Sequence, residues 1–198
     1  MASAETVRLQ RRGVLLERVT LVWNVAGVVV LAIAAVRARS VALAGFGLDS
    51  LVEIGASTVV LWELSGEGDL RQRRALRLIG YAFVALALYI AAQSTVVLVT
   101  GFHPKHSALG IAWTASTAIV MFTLAAGKTR TGAALHNPVL QTEGRVTFID
   151  GLLAVSVLAG LTLNFVVGEW WADPLAGFVI VFYGLKEANE ILRRDAPQ

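Results

Sequence analysis

The chain of 198 residues contains no cysteine. Disulfides, thiolate metal sites and thiol redox switching are therefore excluded. Charge is also scarce: Asp, Glu, Lys and Arg together make up 16% of the residues, against about 25% in an ordinary soluble domain. The formal net charge of +3 is too small a basic excess to suggest a nucleic-acid partner. No stretch between the apolar runs is long enough to form a separate soluble domain.

What the chain does have is apolar sequence, at 56% of residues and in several runs near 20 residues long. About 20 residues at 1.5 Å each cross a ~30 Å hydrocarbon core. The runs are continuously apolar and do not alternate as barrel strands would, so the spanning elements are helices. The fold class that follows is an all-α integral membrane protein. Six spans are read at Val19–Val36, Val41–Leu64, Leu76–Thr100, Ala108–Ala126, Val139–Val167 and Pro174–Leu192. Residues 1–18 are expected as a cytoplasmic tail, 19–192 as the transmembrane domain and 193–198 as a short cytoplasmic end. Arg11 and Arg12 precede an apolar stretch, as in a twin-arginine signal, but Glu17 and Arg18 interrupt it and no small-x-small cleavage site follows. The segment reads as an uncleaved first span.

Orientation comes from the basic residues. Fourteen of the seventeen fall on one side: Arg8 to Arg18, Arg71 to Arg77, Lys128, Arg130 and Arg145 around the loop before span five, and Lys186, Arg193 and Arg194. Arg37, Arg39 and Lys105 fall on the other. By the positive-inside rule both termini are cytoplasmic. Two helix starts are legible, Asn137-Pro138 for span five and Asp173-Pro174 for span six, with Trp170 and Trp171 as interfacial anchors.

Against this apolar background the acids stand out. "FGLDSLVEIGAS" places Asp49 and Glu53 four residues apart, hence on one helix face, near the middle of span two. An acid at a helix centre costs roughly 2.5–3.5 kcal/mol on insertion scales. A purely structural role would require a basic partner at the same depth, and the sequence reading finds no Lys or Arg at mid-span. A helix begun at Pro138 carries Asp150 about 18 Å along its axis, to the depth of the span-two pair. Glu143 lies about two turns nearer the cytoplasm on nearly the same face, either as a further ligand or as an ordinary solvated acid beside Arg145. Asn24 is a polar neighbour on span one. Gly45, Gly47 and Gly55 read as points of close helix approach. His103 and His106 could hold a cation at the outer mouth, but loop histidines are more often simply solvated. Converging carboxylates form an all-oxygen site that suits a divalent cation. The same oxygens bind protons when the metal leaves, so metal and proton compete.

These residues resemble the cation diffusion facilitator family of divalent-metal transporters. "SVALAGFGLDSLVEIGAS" is similar to its second span, with Asp49 and Glu53 at ligand positions and Ser40, Gly47 and Ser50 fitting the pattern. "VTFIDGLLAVSVLAG" is similar to its fifth span, with Asp150 at the aspartate position, and "WWADPLAGFVIV" to the start of its sixth. The resemblance implies a six-helix bundle, a short form made of the transmembrane domain alone, and a homodimer held by its membrane spans. It also implies zinc as cargo, exported from the cytoplasm by proton antiport across the inner (plasma) membrane. Val146 stands where the family usually has histidine, which leaves Glu143 as a candidate substitute. The all-oxygen set suits manganese or iron better than zinc. No enzyme activity and no cofactor is expected, the divalent metal being substrate. The partners expected are divalent ions, protons and the bilayer, with no nucleic acid. The alternative reading is a non-transporting metal sensor or an accessory subunit of another transporter. An intramembrane aspartyl hydrolase is disfavoured, because two acids on one helix cannot face each other across a substrate.

Overall fold

A computed structural model describes residues 4–38, 41–65, 69–101, 107–168 and 171–194. The expected positions His103, His106 and Trp170 lie outside the described residues. Six helices run through the rest: α1 (Ala4–Ala38), α2 (Val41–Leu64), α3 (Asp69–Thr100), α4 (Ala108–Ala134), α5 (Pro138–Val166) and α6 (Ala172–Arg194). Among the described residues there is no strand. α1 to α5 are each long and apolar enough to cross a membrane. α6 carries Lys186, Glu187, Glu190, Arg193 and Arg194 in its second half and does not meet that standard over its described residues.

Two boundaries differ from the sequence reading, and both matter for the site. The first eighteen residues are not a separate tail in structure, because α1 is already helical from Ala4. At 35 residues this helix is about 52 Å long, so it extends well beyond a ~30 Å hydrocarbon core. The fourth span does not stop at Ala126, because "GKTRTGAA" continues the helix to Ala134. Lys128 is consequently a helix residue. α5 starts where Asn137 and Pro138 predict: the Asn137 side chain accepts a hydrogen bond from the Leu140 backbone N–H at 2.9 Å.

The packing is arranged as a ring. α1 packs on α2, α2 on α5, α5 on α4, and α4 back on α1, while α3 and α6 pair with each other and lie against α2 and α5. The α4–α5 contact is the most intimate. A Cβ on Gly132 would come within 2.7 Å of the Gln141 backbone nitrogen, and one on Gly144 within 2.9 Å of that of Thr129. The hairpin between these helices turns through His136 in the left-handed region, at φ 51°. Of the span-two glycines, Gly45 lies directly against Gln93 of α3, whereas a Cβ on Gly55 would meet nothing within 4 Å. Gly45 therefore acts as a point of close approach and Gly55 does not.

The distribution of polarity is inverted relative to a soluble protein. Val22, Val29, Val36, Leu88, Val99 and Ile119 project outward from the bundle, while Glu17, Asn24, Asp49, Glu53, Lys128, Glu143 and Asp150 are buried inside it. Apolar solvent outside and a polar interior are what a membrane imposes on a helix bundle that must handle charge.

At the α4–α5 corner, Asn137 also donates from Nδ2 to both carboxylate oxygens of Glu63, at 3.1 and 3.2 Å. Asn137→Ala removes the cap and these donors together and is expected to lower the apparent melting temperature in detergent by several degrees, a cap alone contributing about 1 kcal/mol. Asn137→Asp keeps the cap but sets a carboxylate against Glu63, so it should melt no higher than the alanine variant.

Candidate metal site

The ring of α1, α2, α4 and α5 encloses a column of polar side chains, each supplied by a three-four repeat on its helix. α2 contributes Asp49, Glu53 and Ser57, and α5 contributes Glu143, Thr147 and Asp150. α1 buries Gly13, Glu17, Thr20, Asn24 and Gly27, and α4 buries Thr114, Thr117, Met121, Lys128 and Thr131. Spacings of three and four keep each set on one face of its helix, which is how these four helices turn their polar residues toward a common axis.

At one level of the column, Asp49 of α2 and Asp150 of α5 lie within hydrogen-bonding reach of each other. Oδ2 of each accepts no hydrogen bond from the described residues. One turn further along α2, Glu53 accepts a hydrogen bond from the Thr147 hydroxyl at 2.9 Å. That hydroxyl in turn accepts one from the Lys128 ammonium, also at 2.9 Å. Lys128 Nζ is 3.0 Å from Glu17 Oε2, 3.2 Å from Glu143 Oε1 and 4.0 Å from Glu53 Oε1. Ser57 donates to Glu143 Oε1 over a longer 3.4 Å. Asn24 donates to the carbonyl of Thr20 on its own helix at 3.0 Å.

The structure thus places the expected residues in two groups. Asp49 and Asp150 come together across α2 and α5, with Glu53 one turn away. Glu143 belongs to a second cluster, in which its Oε1 is held by Lys128 and Ser57. Among the described residues no three acids or histidines converge closely enough to ligate one ion as they stand. Val146 is packed into the apolar core, so its helix position supplies no donor.

Three buried charges, Lys128, Glu17 and Glu63, are not among the candidate residues of the sequence, and the first corrects the expectation stated there. Lys128 is a buried base at the level of the acids, fully inaccessible, where no basic residue was expected. Hydropathy ends span four at Ala126, although Lys128 continues the Thr114, Thr117, Met121, Leu124 register. Glu17 interrupts an apolar run in the sequence, yet it stands in register with Gly13, Thr20 and Asn24 on α1. For Lys128 and Glu17 the three-four repeat was the available signal.

A family model described as the cation efflux transmembrane domain matches residues 76–197, more than half of the chain. The chain belongs to this family, whose members move metal cations across membranes. It is also similar to Transmembrane protein 163 of Xenopus laevis, with 26% identity over 186 residues, 86% of this chain. It spans 66% of the length of that curated relative. The family match includes Lys128, Glu143 and Asp150, while Asp49 and Glu53 precede it.

The Thr147 hydroxyl links the two groups, since it bonds Glu53 and Lys128 at once. Thr147→Val removes this link with little change in shape. It is expected to destabilise the protein by about 1–3 kcal/mol through the loss of a partner to buried charged groups, read as a lower melting temperature of the detergent-solubilised protein.

Proposed function

We propose that the protein carries a first-row divalent cation from the cytoplasm outward in exchange for protons, with Asp49, Glu53 and Asp150 as its ligands. The observation that supports this most directly is the meeting of Asp49 and Asp150 between α2 and α5. Two carboxyl groups in contact inside a membrane cannot both hold an unshielded charge, so a proton shared between them stabilises the metal-free state. A divalent ion bound to both oxygens takes over that role and sends the proton out along the column. Metal and proton then occupy the same oxygens in turn, which is the requirement for antiport.

Completion of the ligand set requires Glu53 to leave the Thr147 hydroxyl and swing one turn toward the pair. The donors within reach are all oxygens, a set that favours manganese or iron over the nitrogen- or sulfur-rich surroundings typical of zinc, although zinc is the cargo the family resemblance suggests. Cytoplasmic termini follow from the charge asymmetry, with the inner cell membrane as location and a homodimer joined through its membrane-facing helices. In this orientation Glu143, Glu17 and Lys128 lie on the cytoplasmic side of the aspartate pair.

Purified protein in liposomes, loaded with a metal-sensitive dye, tests the proposal with zinc, manganese, iron and magnesium. Flux driven by a pH gradient is expected for the wild type, and Asp49→Asn and Asp150→Asn are each expected to reduce it at least a hundredfold. Metal binding that depends on Asp49 but produces no flux for any ion would instead establish the sensor or accessory reading.

A further inference from the structure

Lys128 is the only buried basic side chain among the described residues, and the transport scheme above makes no use of it. Its ammonium sits inside the four-helix ring, between the cytoplasmic side and the aspartate pair. Three features of its surroundings bear on a role. It touches acids from three helices, but unequally: Glu17 at 3.0 Å, Glu143 at 3.2 Å and Glu53 at 4.0 Å. The Glu53 contact is beyond hydrogen-bonding distance and is relayed by Thr147, at 2.9 Å on either side. Glu17, the nearest acid, comes from α1 and is not part of the proposed ligand set.

We propose that Lys128 is a tethered cation that competes with the cargo: its ammonium, bonded to Thr147, stands 4.0 Å from Glu53 in the metal-free protein, and a divalent ion must displace it from Glu53 to complete the site. This rests on the metal-site reading of Asp49, Glu53 and Asp150. An ammonium 4.0 Å from Glu53 repels a doubly charged ion ligated by the same carboxylate, and it does so through a medium that screens poorly. Four methylenes give the lysine the freedom to swing, and Glu17 and Glu143 provide partners it can keep while Glu53 is released. Lys128 therefore sets a threshold. A monovalent ion offers the acids no more charge than the ammonium already does, whereas a divalent ion offers twice as much. The same repulsion weakens the bound state and favours release of the cargo.

The test is calorimetric titration of manganese and zinc into the purified full chain in detergent. The variants are Lys128→Met, Lys128→Arg and the double variant Glu17→Gln/Lys128→Met. The double variant removes the ammonium together with its nearest carboxylate, so that Glu17 is not left buried with an uncompensated charge, which is the ordinary route to unfolding when one member of a buried pair is deleted. The expected result is at least tenfold tighter binding in Lys128→Met and in the double variant, and affinity within about threefold of wild type in Lys128→Arg, where the charge is kept. A residue that only staples the helices has no reason to tighten metal binding when removed. Unchanged or weaker binding in a folded double variant would overturn the proposal, as would loss of the fold in both methionine variants. If neither the wild type nor any variant binds an ion, the metal-site reading itself fails. If the wild type binds and the variants do not tighten, only the role of Lys128 fails.

Discussion

The rest of the structure follows from one constraint: charges inside the bundle must meet one another, as the Lys128 ammonium meets Glu17, Glu143 and the Thr147 hydroxyl. A charged side chain is costly in a bilayer, and an isolated one at a helix centre costs roughly 2.5–3.5 kcal/mol on insertion scales. This chain buries Glu17, Asp49, Glu53, Glu63, Glu143, Asp150 and Lys128. Such a group is tolerable only if the charges meet one another, and they meet only if helices from distant parts of the sequence are brought together. Lys128 joins α4 to α1 and α5, and through Thr147 it reaches α2. One side chain therefore touches or relays to every helix of the ring.

The close packing of α4 on α5 follows from the same requirement. Lys128 and Glu143 are 15 positions apart across the hairpin, and their side chains reach each other because the backbones are near. Gly132 and Gly144 leave no side chain in the contact, the usual device for close helix approach in membranes. Asn137 sets the hairpin by capping α5 with its carbonyl oxygen while its amide holds Glu63 of α2. Asp49 and Asp150 each have an oxygen that accepts no hydrogen bond from the described residues, as do Glu17 and Glu143, whose carboxylates lie against the Lys128 ammonium. The aspartate pair differs in that no basic side chain among the described residues forms an ion pair with it. Buried oxygens with neither a donor nor a neighbouring base are what a site for an exchangeable cation provides.

Much of this was legible in the sequence. The six helices follow from the lengths of the apolar runs, and the start of α5 from Asn137 and Pro138. The approach of Asp49 to Asp150 follows from counting 1.5 Å per residue along two opposed helices. The residues that were not legible share a physical cause. Lys128 and Glu17 lie near the ends of their apolar runs, where a charge ordinarily marks the return to water. Hydropathy alone therefore closes the span before them, although the helices continue. Glu143 is open in the sequence between a ligand and a solvated acid beside Arg145, because its burial and its pairing depend on how α4 and α5 are set against each other, and a periodicity on one helix carries no information about its neighbour. The loose contact of Gly55 was hidden for the same reason.

In the proposed mechanism α2 and α5 jointly hold the cargo ion. The most direct measurement is an experimental structure of the manganese-soaked protein with anomalous scattering recorded at the manganese edge. The account requires one dominant peak inside the bundle, within ligation distance of both Asp49 and Asp150 and with Glu53 turned toward it. A dominant peak in the Glu17–Glu143 cluster with the aspartate pair unoccupied, or peaks confined to the protein surface, would contradict it.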